Sequence, residues 1–467
     1  MLVPINLTGG SYSHKSLPIS AQVTRNFWPQ LIDDPFAKGK YVLESFAGQK
    51  LFGTIGSVGR GIFYHNSLLY RVAGTSLYSV NSSGTHVLLG SIPGTERCIF
   101  DAIGTDIIVV TERKAYIYNG SSVSEVTDSD LESPDSVTVL NNQAIYDGNE
   151  DNFGVSDVGD ASSINGLNYA SAESRSDNLV RVYAFDQVVY MMGETTTELW
   201  WNSGVGQPPF DRVEGGIVEV GLGAIHAVTN TKENLFFFGN DRKVYAVKGS
   251  TASAITTEPL VRTFQSYSTV NDAIMWSMNM RDQDFIVLTF PTENKTFVLP
   301  IGGQWFEWSS GVEGSRNIAN SYTYAYGKHI VEDYSNGNLY ELDFDTYTEN
   351  ANAIVRLRDS APLHGGLFGA PGRTLFMNKL EIILETGVGI NGSGQGSDPV
   401  IMVSFSDDGG KTFSTETWGS IGKLGEFQWK VELFCLGSFT SRIIRIKTSD
   451  PVYYSIVDAS VDIEIGI

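Results

Sequence analysis

The sequence predicts an all-β protein: a β-propeller of about seven blades followed by a C-terminal antiparallel β-sandwich. Three observations carry this. The composition is rich in strand and turn formers, with 49 Gly, 21 Tyr and 25 Phe, and only 18% of residues are charged. That balance favours pleated strands and tight turns over helices. A degenerate repeat of an apolar strand, a turn and a short aromatic strand runs through the first three quarters of the chain. After Asn350 this rhythm gives way to longer strands of alternating polarity. With 467 residues the chain is also too long for one ordinary core, so more than one domain is expected.

Taken in order, residues 1–40 read as an N-terminal arm, 41–350 as the propeller and 351–467 as the sandwich. "YVLESFAGQKLFGTIG" (41–56) stands before the first full repeat as one strand left over. It could complete the last blade and close the ring; a plain N-terminal edge strand is the alternative. "SLLYRVAGTSLYSV" (67–80) is the clearest copy of the repeat, and "DIIVVTERKAYIYNG" (106–120) follows it. The equivalent aromatics along the chain are Tyr78, Tyr116, Phe153, Trp200, Tyr245, Phe297 and Tyr340. Their spacing of roughly 37 to 52 residues fits a four-stranded blade with loop insertions. "NDRK", "TENK" and "SNGN" supply the Gly, Asn and Asp that hairpin turns demand. One hairpin cannot bury both of its faces, whereas stacking hairpins radially can. About seven such units fit between Gly61 and Asn350, and six or eight fit nearly as well.

From "NAIVRLRD" to "SIVDASVDIEIGI" the strands alternate, interrupted by the Gly/Ser loop "VGINGSGQGSDP" (388–399), and they read as an antiparallel sandwich. No segment shows sustained helical periodicity with caps. No apolar run reaches the roughly 18 residues that span a membrane, and the N-terminus lacks the basic start and apolar stretch of a secretory signal. A protein made and assembled in a cytosol, without membrane insertion, is therefore expected.

The formal net charge is −21. Gripping DNA by its backbone needs clustered Lys and Arg, so a general phosphate binder is excluded. An acidic wall can still enclose a duplex and let it slide. Cys98 and Cys435 are the only cysteines, too few for a disulfide framework or a thiolate metal site, and both are expected to pack in a core.

Chemistry-bearing motifs are sparse. "SFSDDGGKTF" (404–413) matches the Asp-box of sialidases, but as a single copy on a sandwich turn. The catalytic arginine cluster and the Tyr–Glu pair of those enzymes are missing, so it reads as a folding turn around Asp408. The six histidines, His14, His65, His86, His226, His329 and His364, show no metal-ligand spacing, and no nucleophile elbow, phosphate loop or dinucleotide fingerprint occurs. Asp128/Asp130 and Asp343/Asp345 could hold Ca²⁺, though solvated loop charge explains them more simply. No cofactor, metal or catalytic residue is assigned. Cationic stripes stand out in the C-terminal domain, where Arg356 and Arg358 alternate on one strand and Arg442, Arg445 and Lys447 nearly do on another. These five are the candidates for docking an acidic partner or for a scaffolding contact, with a solvated strand face as the alternative. A glycan-binding propeller is the competing reading, with Trp200, Trp201, Trp305 and Trp308 as its aromatic platforms.

Four stretches carry a family resemblance. "RNFWPQ" (25–30) is similar to an Asn-aromatic-aromatic-Pro-acidic signature, with Gln30 in place of the acid. "VLESFAGQKLF" (42–52) and "LLYRVAGTSLYSV" (68–80) resemble the segment and hairpin that open the propeller. "RIIRIKTSDPVYYSIVDASVDIEIG" (442–466) resembles the closing strands. Together they resemble the tail-hub, nozzle or packaged-DNA stabilisation proteins of short-tailed double-stranded DNA phages. The resemblance implies a non-enzymatic virion component, assembled in the host cytoplasm. It implies a ring, a hexamer, docked below the portal and its adaptor. Such a ring extends the DNA channel, retains the packaged genome, anchors a tail needle and tailspikes or fibres, and conducts DNA at ejection.

Overall fold

The computed structural model describes residues 2–17, 19–172 and 177–466. Six blades are four-stranded antiparallel meanders of consecutive strands, covering 59–91, 99–125, 137–171, 179–218, 228–254 and 274–307. The remaining place in the ring is filled by a composite sheet. Its first three strands, Ala319–Ala325, Lys328–Asp333 and Asn338–Asp343, are followed by Gly48–Thr54 from ahead of the first blade. Tyr340 pairs with Leu51 and Glu341 with Lys50, so the strand left over in the sequence does close the ring. Blades of consecutive strands thus number six, against the about seven expected, because the closing sheet borrows its outer strand from elsewhere in the chain.

The seven repeat aromatics all lie on the third strand of their sheets. Tight turns repeat as well. The hairpins joining first to second strands turn on successive left-handed residues at Asn66–Ser67, Asn141–Asn142, Asp186–Gln187 and Arg281–Asp282. That is the backbone which matches a two-residue turn to the twist of the strands.

Among the described residues, backbone contact between neighbouring blades along their first strands is confined to single bonds such as Met275 N–H to His226 O at 2.9 Å and Cys98 N–H to Arg60 O at 2.8 Å, and side chains add further bridges. Asp101, on the first strand of blade two, accepts the Val139 N–H of blade three at 2.7 Å. Ser136 and Thr138 of blade three accept the N–H groups of Val182 and Ala184 of blade four at 3.0 and 2.9 Å. Asp147 accepts the N–H groups of Asp135 and Ser136 at 2.9 and 2.6 Å. Burial pushes the Asp101 carboxyl up to about 6 and that of Asp147 up to about 7, both from 3.8. A carboxyl raised in this way binds its proton more tightly folded than unfolded, so its contribution falls as pH rises from about 4 through 7. The Asp147→Asn chain keeps the acceptor and loses the ionisation. Its stability is expected to exceed that of the wild type at pH 8 by on the order of 1–3 kcal/mol and to match it near pH 4. Denaturant midpoints at the two pH values measure this, and a gain independent of pH would refute it.

A short helix, Glu258–Ser266, departs from the all-strand expectation. Pro259 stands in its first turn, Glu258 pairs with Arg262 one turn on, and Leu260 and Phe264 face the core of blades five and six. Nine residues are too few for a periodic pattern to stand out.

The sandwich has two sheets. One runs Phe27–Leu31, Tyr41–Ser45, Ser455–Ile465, Leu375–Leu384, Val431–Phe434, with Leu2–Ile5 also on Ser455–Ile465. The other runs Ala21–Arg25, Arg356–Asp359, Ser441–Thr448, Val400–Ser406, Thr417–Ser420. Residues 1–40 are therefore not a free arm. Their strands are members of both sandwich sheets, and Tyr41–Ser45, expected in the propeller, belongs there too. Backbone hydrogen bonds decide this, because an unpaired N-terminal strand would leave the last strand's edge open. Arg25 pairs in parallel with Glu307, which makes blade six continuous with the second sheet.

Candidate functional site

The junction of propeller and sandwich is built by the N-terminal motifs. In "RNFWPQ", Phe27 is buried in the sandwich core and Trp28 in the core of blade six and the closing sheet. Alternation along one strand makes this necessary, since adjacent side chains leave on opposite faces. Leu43 and Phe46 divide in the same way between the two cores. Asn26, in the left-handed region at φ 57°, donates from Nδ2 to the carbonyls of Ser309 and Val355 at 3.0 and 2.8 Å. Its Oδ1 accepts the Ser309 N–H at 2.8 Å. The motif is a joint between domains.

Three of the five cationic candidates are buried in the fold, and the other two are paired with acids at its surface. Arg358 is fully buried and donates from Nε to Leu7 O at 2.7 Å and from Nη1 to Gly10 O and Thr24 Oγ1, both at 2.9 Å. Its Nη2 donates to Gln22 Oε1 at 2.6 Å. Arg356 is fully buried near the Tyr454 ring, and burial pushes its guanidinium down to about 10. Arg442 grips Asp407 with two bonds of 2.7 Å and lies over the rings of Phe405 and Phe439. Arg445 grips Asp359 at 2.7 and 2.8 Å above the Phe413 ring. Lys447 pairs with Glu416. A docking stripe needs exposed, unpaired charge. Arg356, Arg358 and Arg442 are interior, and Arg445 and Lys447 keep about a third of their side chains exposed. Alternation in the sequence could not tell a solvated face from one covered by the N-terminal segment.

Asp408 is a folding group. It accepts Ser406 Oγ at 2.7 Å, the N–H groups of Lys411 and Thr412 at 2.9 and 3.0 Å, and Thr412 Oγ1 at 2.6 Å. These bonds, from Thr412 above all, hold its carboxyl below the usual range. Asp128 accepts the N–H groups of Asp130 and Ile164, Asp130 that of Gly166, and Asp343 that of Asp345. Among the described residues no group of three or more His, Cys, Asp or Glu is placed to hold a metal ion, and no helix is long and apolar enough to cross a membrane. Trp200, Trp305 and Trp308 are buried in cores, so they offer no glycan platform; Trp201 is half-exposed. Cys98 is buried, but Cys435 is exposed on a left-handed turn after Val431–Phe434, contrary to the core expectation.

Sequence reasoning missed an aromatic edge of the sandwich. Thr417–Ser420 and Val431–Phe434 are the end strands of the two sheets and lie against each other. Trp418, Leu424, Phe427, Trp429 and Phe434 are exposed there, Phe427 at 73%. The signal was "TWGSIGKLGEFQWKVELF", with too many large apolar residues for a loop and two short strands.

Among curated proteins none matches the chain. Solved structures similar in part include the Neurospora crassa Pan2 WD40 domain, at 9% identity over 63% of this chain and 94% of that one, TM-score 0.42. BamB from Moraxella catarrhalis is 10% identical over 69% and 98%, TM-score 0.40, and the N-terminal domain of Nup159 is 14% identical over 69% and 99%, TM-score 0.42. Two family models match, described as bacteriophage P22 Gp10, beta-propeller, over residues 1–347, and bacteriophage P22 Gp10, beta-sandwich, over residues 362–464. With the joint motif, the ring closure and most of the sandwich inside these matches, the chain belongs to the bacteriophage P22 Gp10 family, the structural tail proteins of short-tailed phages.

Proposed function

We propose that the protein is the hub of a short phage tail, a non-enzymatic ring, hexameric by the family resemblance, docked below the portal and adaptor. It extends the DNA channel, helps retain the packaged genome, carries needle and fibre or tailspike proteins, and conducts DNA at ejection. Family membership through both domains is the observation that carries this reading. The net charge of −21 supports it, because such a wall confines a duplex without gripping its phosphates. The domains divide near residue 354, with the sandwich drawing strands from both ends of the chain.

The contact surface proposed for assembly is the aromatic edge around Trp418, Phe427 and Trp429, with Arg445 and Lys447 nearby. It combines exposed apolar area with unpaired strand edges, the two features that invite a partner. The chain is expected to be monomeric or weakly associated alone and to form a stable ring on a portal–adaptor complex. Trp418→Ser with Phe427→Ser is expected to abolish the ring and leave unfolding of the monomer within about 0.5 kcal/mol of wild type. Electron microscopy of the reconstituted assembly and denaturant unfolding give the two readings. Particles made without the protein are expected to package DNA and then leak it. Normal retention, or tight duplex binding with a steep salt dependence, would overturn the reading.

A further inference from the structure

Two adjoining cavities, of about 190 and 600 Å³, share Arg97, His226 and Ile274 as lining, the smaller one walled mainly by first strands of the propeller sheets and the larger by the connections beside them. The smaller is also lined by Arg181 and Trp276. Its buried polar atoms without a partner are all donors: Arg97 Nε and Nη1, Arg181 Nε, and Trp276 Nε1. Trp276 is 7% exposed. Arg97 reaches the cavity from the connection just ahead of blade two, Arg181 from the first strand of blade four and Trp276 from that of blade six. An unsatisfied buried donor costs roughly 1–3 kcal/mol, and more when it is charged, so four in one small space call for an acceptor.

Among the described residues no acceptor meets these atoms, and the buried Asp272 Oδ1, itself without a partner, lines only the larger cavity. Glu332 is the nearest acid to influence Arg97, but its oxygens are taken by Arg71 and Ser321. Arg181 donates from Nη1 to the Ile225 carbonyl at 2.6 Å and lies over the Tyr183 ring, and its Nε is left without a partner. Burial and the two guanidinium groups keep the His226 imidazole neutral. Glu96, Glu112, Asp135 and Asp272 line the larger cavity and not the smaller one. Glu112 is engaged there by the N–H groups of Thr95 and Glu96, and Asp272 by Thr292 through Oδ2 alone.

We propose that the smaller cavity binds one small free oxyanion of the phosphate class, held by Arg97, Arg181 and the Trp276 indole N–H. Two guanidinium groups and a neutral donor, with apolar walls such as Phe63 and Phe100, suit a compact multivalent anion with several acceptor oxygens. The space is far too small for a duplex, so this anion is not packaged DNA. Ligation ties three parts of the propeller to one centre and stabilises the ring without any change of fold.

Inorganic phosphate is the probe, added to the full-length chain at a few millimolar and at ionic strength matched with chloride, where general salt effects are small. Calorimetric titration is expected to show one site per chain. Saturation to about 100 times Kd is expected to raise Tm by about 3 °C. The Arg97→Met/Arg181→Met chain is expected to lose the shift, and Trp276→Phe to weaken binding roughly tenfold. No phosphate-dependent heat or shift in the wild-type chain overturns the proposal, even where the double variant fails to fold. An equal shift in a folded double variant also overturns it, as does the same shift from duplex DNA in place of phosphate.

Discussion

Replacing Arg71 by Leu is expected to destabilise the propeller by about 3–5 kcal/mol, the cost of stranding a buried carboxylate. Arg71 sits on the second strand of blade one and Glu332 on the second strand of the closing sheet, and both side chains are fully buried. Nε meets Glu332 Oε1 at 2.7 Å, and Nη1 donates to Gly337 O at 2.9 Å and to His86 Nε2 at 3.1 Å. The His86 ring is pushed down to about 4 by burial and by Arg71, so it stays a neutral acceptor. Glu332 Oε2 takes the Ser321 hydroxyl at 2.9 Å. The carboxylate also fills the place of a side chain at Gly59, where a Cβ would lie 1.6 Å from Oε1. This pair is the latch across the seam at which the ring closes. Arg71→Leu with Glu332→Leu is expected to recover most of the loss, since an apolar pair of similar volume is often neutral. A double-mutant cycle in denaturant unfolding measures the coupling, and a single-variant loss below about 1 kcal/mol would contradict the latch.

Arg358→Met is expected to cost about 3–5 kcal/mol by leaving four acceptors, three of them buried, without their charged donor. Those acceptors, Leu7 O, Gly10 O, Thr24 Oγ1 and Gln22 Oε1, all belong to the N-terminal segment. Amide exchange should therefore quicken over residues 2–25 well before the propeller loosens. Uniform protection across the chain, despite lost global stability, would show that Arg358 acts only through the core. Arg445→Met, by contrast, should cost less, because Arg445 is about one-third exposed and solvent screens its pair with Asp359.

Repeat structure was legible because a blade repeats its own local chemistry. Each third-strand aromatic and each left-handed turn pair answers to a few neighbouring residues, so Tyr78, Tyr245 and Tyr340 could be aligned by eye. Ring closure by residues 48–54 was readable for a related reason: one strand stood ahead of a repeat that needed it. Family membership was readable in "RNFWPQ" and the closing strands, even though the role of these motifs as a joint was not. The helix Glu258–Ser266 was too short to leave a period, and the composite sheet left the blade count open.

The strand-rich class, the repeat, the turns and the acidic balance depend on composition or on residues a few positions apart, so they could be read from the chain alone. Long-range pairing could be read only from the folded molecule. It placed the N-terminal strands in the sandwich, turned Arg356 and Arg358 from a surface stripe into interior groups, and left the Trp418–Trp429 edge bare. It also gathered Arg97, Arg181 and Trp276 from three parts of the propeller into one cavity. Whether an arginine on an alternating strand meets water or a folded segment depends on which part of the chain crosses that face. That partner can lie more than 300 residues away, as Leu7 does from Arg358, beyond the reach of any local pattern.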